Sequence, residues 1–337
     1  MVLKGEIILV KKVLLIMPNF FDYPKIISDE LEELGYEVDY FDDRPSTTSF
    51  VKAAIRINRK LLHIYIKSYF KRIMKKINEK KYNVVLVISG QSLSFDEKMI
   101  KDLKKNQAHA RFILYQWDSQ KNFPHIISFQ KYFDKCFSFD REDVSSNQNL
   151  DFLPLFYSKR YEKIGNTNIH SYEYDVCFIG TAHPKKFKFI NEMSSQLNQV
   201  FSKQYIYFFL PSRLVYVYRK FRSKEFKQAN YRDFHFTSLK GNEVDRIFEE
   251  SMCVLDTAQE GQNGLTIRIF EALGAKKKVI TTNQDIKNYD FYKPENIYVY
   301  SGGFDFSRPF FQNDYQDLDS EIYSKYSLKQ WLFEVLK

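Results

Sequence analysis

The stretch from Gln262 to Asn283, QNGLTIRIFEALGAKKKVITTN, concentrates residues suited to holding a phosphorylated ligand. Gly264 lets a backbone approach a ligand closely. Thr266 stands where a hydroxyl can cap a helix whose free amides bind phosphate, and Arg268 can add charge-assisted bonds to it. Glu271 follows five residues after Thr266, a turn and a half along that helix. An ionised carboxylate only accepts hydrogen bonds, which suits the two adjacent hydroxyls of a ribose. The plainer reading of Glu271 is a solvent-facing helix carboxylate. A second stretch, FIGTAHPKK from Phe178 to Lys186, runs from a strand end through a Gly180-Thr181 turn into a helix start carrying Lys185 and Lys186. Lysines at a helix start oppose the macrodipole preference, which points to an anionic ligand nearby. Lys185, Lys186, Arg268 and helix amides are donors suited to the phosphates of such a ligand, and His183 can donate to the same phosphates.

Positioning these groups requires strands and helices in alternation, and the chain supplies them twice. Val13 to Met17 is a continuous apolar run; Lys25 to Leu34 has helical spacing and stops at Gly35; Glu37 to Phe41 is the next strand. Strands at 83–89, 111–116, 135–139 and 151–155, with a helix at 95–104, extend a doubly wound parallel sheet. From Tyr157 to Glu173 the chain turns polar and loses periodicity, as an interdomain connection would. A second round begins at 175–180 and continues with helices at 186–199, 242–250 and 266–275 and strands at 205–210, 252–256, 278–281 and 296–299. The last segment is helix-like, with Trp331, Leu332 and Leu336 at packing positions. The expectation is an α/β protein of two Rossmann-like domains, 1–160 and 174–315, facing each other across a cleft. The helical segment 316–337 would pack back on the first domain. Neither first turn (PNFFDYPK, GTAHPKKFK) carries the G-x-G-x-x-G fingerprint, so a tightly held dinucleotide is disfavoured.

Asn263-Gly264-Leu265, then Phe270-Glu271-Ala272-Leu273 and Lys278-Val279-Ile280-Thr281-Thr282-Asn283, resembles the nucleotide-sugar site of GT-B glycosyltransferases. More narrowly it looks like the branch associated with lipopolysaccharide, capsule or spore-coat polysaccharide synthesis. The resemblance implies the two-domain fold, glycosyl transfer from a nucleotide sugar to a glycan or lipid-linked acceptor, and a nucleotide-sugar site in the second domain. That site would comprise Gly180, Thr181, His183, Lys185, Lys186, Asn263, Gly264, Leu265, Thr266, Arg268 and Glu271. Many retaining members carry two glutamates separated by seven residues; Glu271 matches the second, which is implied to hold the ribose, and Asn263 occupies the place of the first. A GT-B site stabilises its leaving group with protein cations, which implies no essential metal and no other cofactor.

The strand-end loops of the first domain supply Asn19, Asp22, Ser89, Gly90, Gln91, Trp117 and Asp118. An inverting transfer needs a base for the acceptor hydroxyl, and Asp118 and Asp22 are the catalytic candidates. In a retaining enzyme they would orient the acceptor; their plainer reading is as turn or cap aspartates. Lys52 to Lys81 carries eleven Lys and Arg against Glu79 as its one acid, interleaved with apolar residues, and reads as one long basic amphipathic helix. Such a helix can lie on the anionic inner leaflet of the cell membrane, or can pack its apolar face on a sheet.

Composition closes off other classes. With 337 residues, 44% apolar and 28% charged, the chain is neither disordered nor a disulfide scaffold. Cys136, Cys177 and Cys253 sit in apolar runs without metal-ligand spacing and read as buried thiols of a reducing compartment. The N-terminus lacks a signal-peptide pattern, no apolar run reaches the ~20 residues that span a bilayer, and the chain is expected in the cytoplasm. A net charge of +9 invites a nucleic-acid partner, but RRM and KH motifs are missing and none is expected. The alternative to an enzyme is a catalytically inactive GT-B-like subunit of a polysaccharide assembly complex.

Overall fold

Apolar runs without polar alternation form strands covered on both faces. The computed structural model describes residues 10–46, 62–90, 93–167, 171–257 and 261–337. Its first sheet holds β1 (Lys11–Ile16), β2 (Tyr36–Phe41), β3 (Val84–Ser89), β4 (Arg111–Gln116), β5 (Lys135–Ser138) and β6 (Asp151–Phe152). These six strands pair in parallel in the order β2-β1-β3-β4-β5-β6. Leu14, Ile16, Val85 and Val87 are completely buried in its core. β6 is short because Pro154, soon after it, has no amide to give a ladder.

The accompanying helices are α1 (Tyr23–Glu33), α2 (His63–Ile77), α3 (Glu97–Asn106), α4 (Ile127–Gln130) and α5 (Arg141–Ser146). Gly35 ends the first helix with φ 87°, a conformation that favours glycine. The basic helix read over 52–81 is observed as α2 alone; residues 52–61 lie outside the described ones, and Lys80 and Lys81 follow the turn at its end. Lys80 instead reaches Asp39 at 2.8 Å. Ile66, Phe70, Ile73 and Ile77 bury the apolar face of α2 in the first core.

The second sheet contains β7 (Tyr174–Thr181), β8 (Gln204–Phe209), β9 (Phe234–His235), β10 (Ser251–Asp256), β11 (Lys278–Thr281) and β12 (Ile297–Val299). All its pairs are parallel, in the order β12-β11-β10-β7-β8-β9. The chain therefore builds outward from β7 in one direction, then returns to build outward from β10 in the other. Helices α6 (Lys159–Gly165), α7 (Pro184–Leu197), α8 (Arg213–Arg222), α9 (Gly241–Glu250), α10 (Ile267–Gly274), α11 (Pro309–Gln312), α12 (Ser320–Lys325) and α13 (Leu328–Leu336) complete the order.

The chain divides at Pro154 and Leu155 into two units, with Leu332–Lys337 grouped with the first. The polar stretch 157–173, read as a connection, instead contains α6. This helix buries Tyr161 and Ile164, and Arg160 pairs with Asp245 of α9. The Tyr161 ring lies 5.3 Å from that of Phe248, and Gly165 fits against the Gly274 carbonyl with no room for a β-carbon. The hydrophobic period was invisible because only two positions of a seven-residue helix face inward. Near the C-terminus Tyr157 exchanges backbone bonds with Tyr326 and Leu328 at 2.9 and 2.7 Å, and Trp331 packs on Phe156 at 4.8 Å.

Two stability predictions arise here. A β-carbon at Gly274 would stand 2.6 Å from Tyr157 Cβ and Cγ, so Gly274→Ala should lower the urea unfolding free energy by about 1–3 kcal/mol. Asp143 is buried, and burial raises its carboxyl pKa from 3.8 to about 6 against the opposing bond from the Gln120 amide. The folded chain then holds more protons than the unfolded one between these values. Asp143's contribution to stability is present at low pH and is lost as pH rises through about 6. Asp143→Asn should flatten the stability profile in that window and raise the unfolding free energy at pH ~8 by about 1–3 kcal/mol.

Candidate functional site

Parallel strands all end on one edge of a sheet, and where the order reverses the connections leave in opposite directions, opening a crevice. In the second unit that point lies between β7 and β10. The N-termini of α7 and α10, the helices that follow them, return from this edge.

From β7 the chain passes Gly180 and Thr181 into a tight turn in which the His183 amide donates to the Thr181 carbonyl at 2.9 Å. Phe178 lies where a side chain at Gly180 would go, its Cζ 2.7 Å from the missing β-carbon. His183 is the N-cap of α7 and Pro184 its first residue, where no amide is needed. His183 and Lys185 are exposed, while Lys186 is half-buried. Burial lowers the Lys186 pKa; Asp256 opposes this and Arg268 adds to it, which places the three groups in one electrostatic environment.

β10 ends at Asp256, buried to 4% exposure. One carboxylate oxygen accepts the Thr266 hydroxyl at 2.8 Å and the other the Thr281 hydroxyl, from the end of β11, at 3.3 Å. Thr266 is the N-cap of α10 by its backbone, but its side chain is spent on Asp256 and makes no cap bond. The hydroxyl capping expected from the sequence is thus replaced, because a buried carboxylate competes for the same donor. Asn283 donates from Nδ2 to the Asn263 carbonyl at 2.9 Å and to the Gly264 carbonyl at 3.4 Å, holding the loop whose anchor, Leu265, is fully buried. The Asn263 residue is otherwise exposed.

One turn along α10, Arg268 Nη1 lies 2.8 Å from Glu271 Oε2, and its guanidinium covers the Phe248 ring at 5.0 Å. Glu271 is only 5% exposed, so it is no solvent-facing helix carboxylate. It faces α6: burial and then the Glu271 carboxylate push the Tyr161 phenol well above its ordinary pKa.

In the first unit, Asp22 is exposed at the N-cap of α1 and makes no cap bond. A pocket beside it is lined by Asn19, Lys25 and Tyr40. Asp118 is half-buried, its carboxylate laid over Gly90 where any β-carbon would collide with it. Tyr23 and Trp117 meet edge to face at 5.7 Å, which brings the loops of the two aspartates to the same edge of the first sheet. Gln91 lies outside the described residues.

The sequence does not single out Asp256 or Tyr161, and it takes in Asn283 only as the last residue of the motif that carries the resemblance. Asp256 closes the apolar run MCVLD and had the signal already used for Asp118, a carboxylate at a strand's end. Among the described residues no three His, Cys, Asp or Glu cluster as metal ligands. The run Asp317-Leu318-Asp319 is engaged in the C-terminal segment, where Asp317 pairs with Lys276 at 2.8 Å.

No family model and no curated protein matches this sequence. Solved structures do match its fold. The apo lipopolysaccharide outer core galactosyltransferase WaaB aligns with TM-score 0.53 and 12% identity over 96% of this chain and 99% of its own. Anabaena HepE, in complex with UDP and glucose, aligns with TM-score 0.56 and 12% identity over 97% and 99%. An alpha-glucosyltransferase in complex with UDP and a mismatched 13-mer DNA aligns with TM-score 0.51 and 12% identity over 85% and 81%. The chain has the GT-B fold of two Rossmann-like domains.

Removing Glu271 would take away the carboxylate that pairs with a largely buried guanidinium. Glu271→Ala should therefore lose about 3 kcal/mol of stability, and Glu271→Gln less, in urea titrations. Equal stability in all three proteins would show that the pair is not formed.

Proposed function

We propose that this protein transfers a glycosyl unit from a nucleoside-diphosphate sugar to a glycan or lipid-linked acceptor in the synthesis of a surface polysaccharide or lipopolysaccharide. The observation that carries this reading is that Lys186 in the first turn of α7 and Arg268 in the first turn of α10 stand on the two helices that leave the switch point of the second sheet, where Thr266 at the start of α10 is bonded to Asp256. Two cations and a helix N-terminus suit a diphosphate, and that the fold is shared with structures solved with UDP supports the same class of ligand.

In this reading the sugar's bond to the β-phosphate oxygen breaks and the electron pair leaves on the diphosphate. Lys186 and Arg268 meet the charge that develops there, with Lys185 and His183 at the outer edge and the Gly180-Thr181 and Asn263-Gly264-Leu265 loops bringing backbone close. Protein cations do this without an essential metal. Glu271 takes the ribose hydroxyls as Arg268 swings from the carboxylate to the phosphate. The acceptor oxygen bonds the anomeric carbon. For inversion its proton passes to Asp118 or Asp22; for retention these aspartates orient the acceptor instead.

A thermal-shift series of UDP, GDP, CDP, ADP and dTDP tests the reading. One nucleotide should stabilise the protein, by about 2.7 kcal/mol at a hundredfold excess over Kd, with or without EDTA. Absence of any shift would overturn it in favour of a non-catalytic assembly subunit. Lys186→Ala should weaken the effective nucleotide by about 1.5–3 kcal/mol, the worth of a charged hydrogen bond. Because burial lowers the Lys186 pKa and the ammonium is the binding form, affinity should fall as pH rises through a range below that of ordinary lysines. A flat profile up to the ordinary lysine range would remove Lys186 from the site.

A further inference from the structure

Helix α8 buries none of its residues. Leu214, Val217, Tyr218 and Phe221 are 81%, 47%, 62% and 80% exposed. Their spacing of i, i+3, i+4 and i+7 puts them on one stripe of the helix. The other side holds the helix to its unit: the Tyr216 ring meets those of Tyr231 and Phe234, both at 5.4 Å, and Arg219 donates to the Ala182 carbonyl. The outward stripe is thus a feature of a well-anchored helix. Contiguous exposed apolar side chains of this size mark a contact surface.

Charge identifies what the surface meets. From Arg213 to Arg232 the chain carries seven basic residues and one acid, Glu225. That acid already accepts the Ser223 hydroxyl at 2.5 Å. Arg213 and Arg222 are exposed at the two ends of the helix, and Lys224 and Lys227 are exposed in the turns that follow it. An apolar strip bordered by uncompensated cations complements a surface that is hydrocarbon within and anionic at its face.

The basic helix α2 lacks this combination. Its apolar residues Ile66, Phe70, Ile73 and Ile77 are committed to the first core. Lys67, Lys71, Lys75 and Lys76 remain outside, with Ile64 and Tyr65 exposed only at its first turn. A charged face without an apolar stripe gives weak, salt-sensitive attraction and nothing to insert.

We propose that α8 docks this protein on an anionic lipid leaflet. Leu214, Val217, Tyr218 and Phe221 enter the boundary between headgroups and acyl chains, and Arg213, Arg222, Lys224 and Lys227 meet the lipid phosphates. The proposal stands apart from the catalytic reading and does not need a lipid-linked acceptor. Arg219 also joins the docked helix to the Ala182 turn of the candidate site.

Co-sedimentation of the full chain with phosphatidylcholine vesicles, with and without phosphatidylglycerol, tests it. Binding should require phosphatidylglycerol and weaken with salt. The double variant Leu214→Ser/Phe221→Ser should bind roughly ten- to hundredfold more weakly, from the area term for two large side chains partly inserted. Its thermal midpoint should match the parent, because both residues are exposed, and Lys71→Glu in α2 should change binding far less. Three results would overturn the proposal: no binding by the parent, equal binding by the double variant, or a dimer in sedimentation that the double variant dissolves. The last would mean that the stripe is covered by a second copy of the chain.

Discussion

The buried carboxylate of Asp256 is the constraint on which the second unit's working edge depends. A carboxylate removed from water must be matched by donors and cations or it destabilises the fold. Thr266 and Thr281 match it with hydroxyls, and Lys186 lies in its field. Meeting that requirement fixes the end of β11, the entry to α10 and the start of α7 around one point. The Thr266 hydroxyl is thereby withdrawn from capping, and α10 begins without a cap bond from its N-cap side chain. A helix start left in that condition at a strand-order reversal is where an anionic ligand is best accommodated.

Burial one turn further along α10 follows the same rule. Arg268 and Glu271 form an ion pair at 2.8 Å, the Phe248 ring lies against the guanidinium, and Tyr161 feels the Glu271 charge. This links the candidate site to α6, whose Gly165 must be small for the helix to meet the Gly274 carbonyl. The polar stretch after the first sheet is thus part of the second unit's wall. Arg160, which looks like a surface cation in sequence, is tied to Asp245 and the Gly241 carbonyl.

These interactions mark where the sequence is legible and where it is not. Strands covered on both faces declare themselves as unbroken apolar runs, so β1, β3, β4, β7 and β10 can be read within a residue or two. Helices that bury a full stripe, such as α3 and α9, are nearly as plain. The short α6 hides because its polar residues are anchored by pairing, and α8 because its apolar residues face outward. Motif spacing finds Glu271 and Arg268 but not their mutual pairing, which needs a third element to enclose it. Asp256 escapes because a carboxylate at the end of a hydrophobic run looks like a strand terminus until its hydroxyl partners, ten and twenty-five residues away, are brought to it.

The two basic helices show why charge alone is a poor guide to surface function. In sequence, α2 has the longer run of cations and the clearer amphipathic pattern, and both features attract a membrane reading. Amphipathicity, however, states only that an apolar face exists, and a protein core satisfies that face as well as a lipid leaflet does. Burial decides between them: the stripe of α2 is consumed in the first core, where Phe70 meets Phe95 at 5.3 Å, whereas that of α8 is left in water. A helix anchored through Tyr216 and Arg219 on its inner side keeps its outer side fixed in orientation. That pre-organisation lets four exposed side chains act as one surface, and it is the property a long cationic run does not supply by itself.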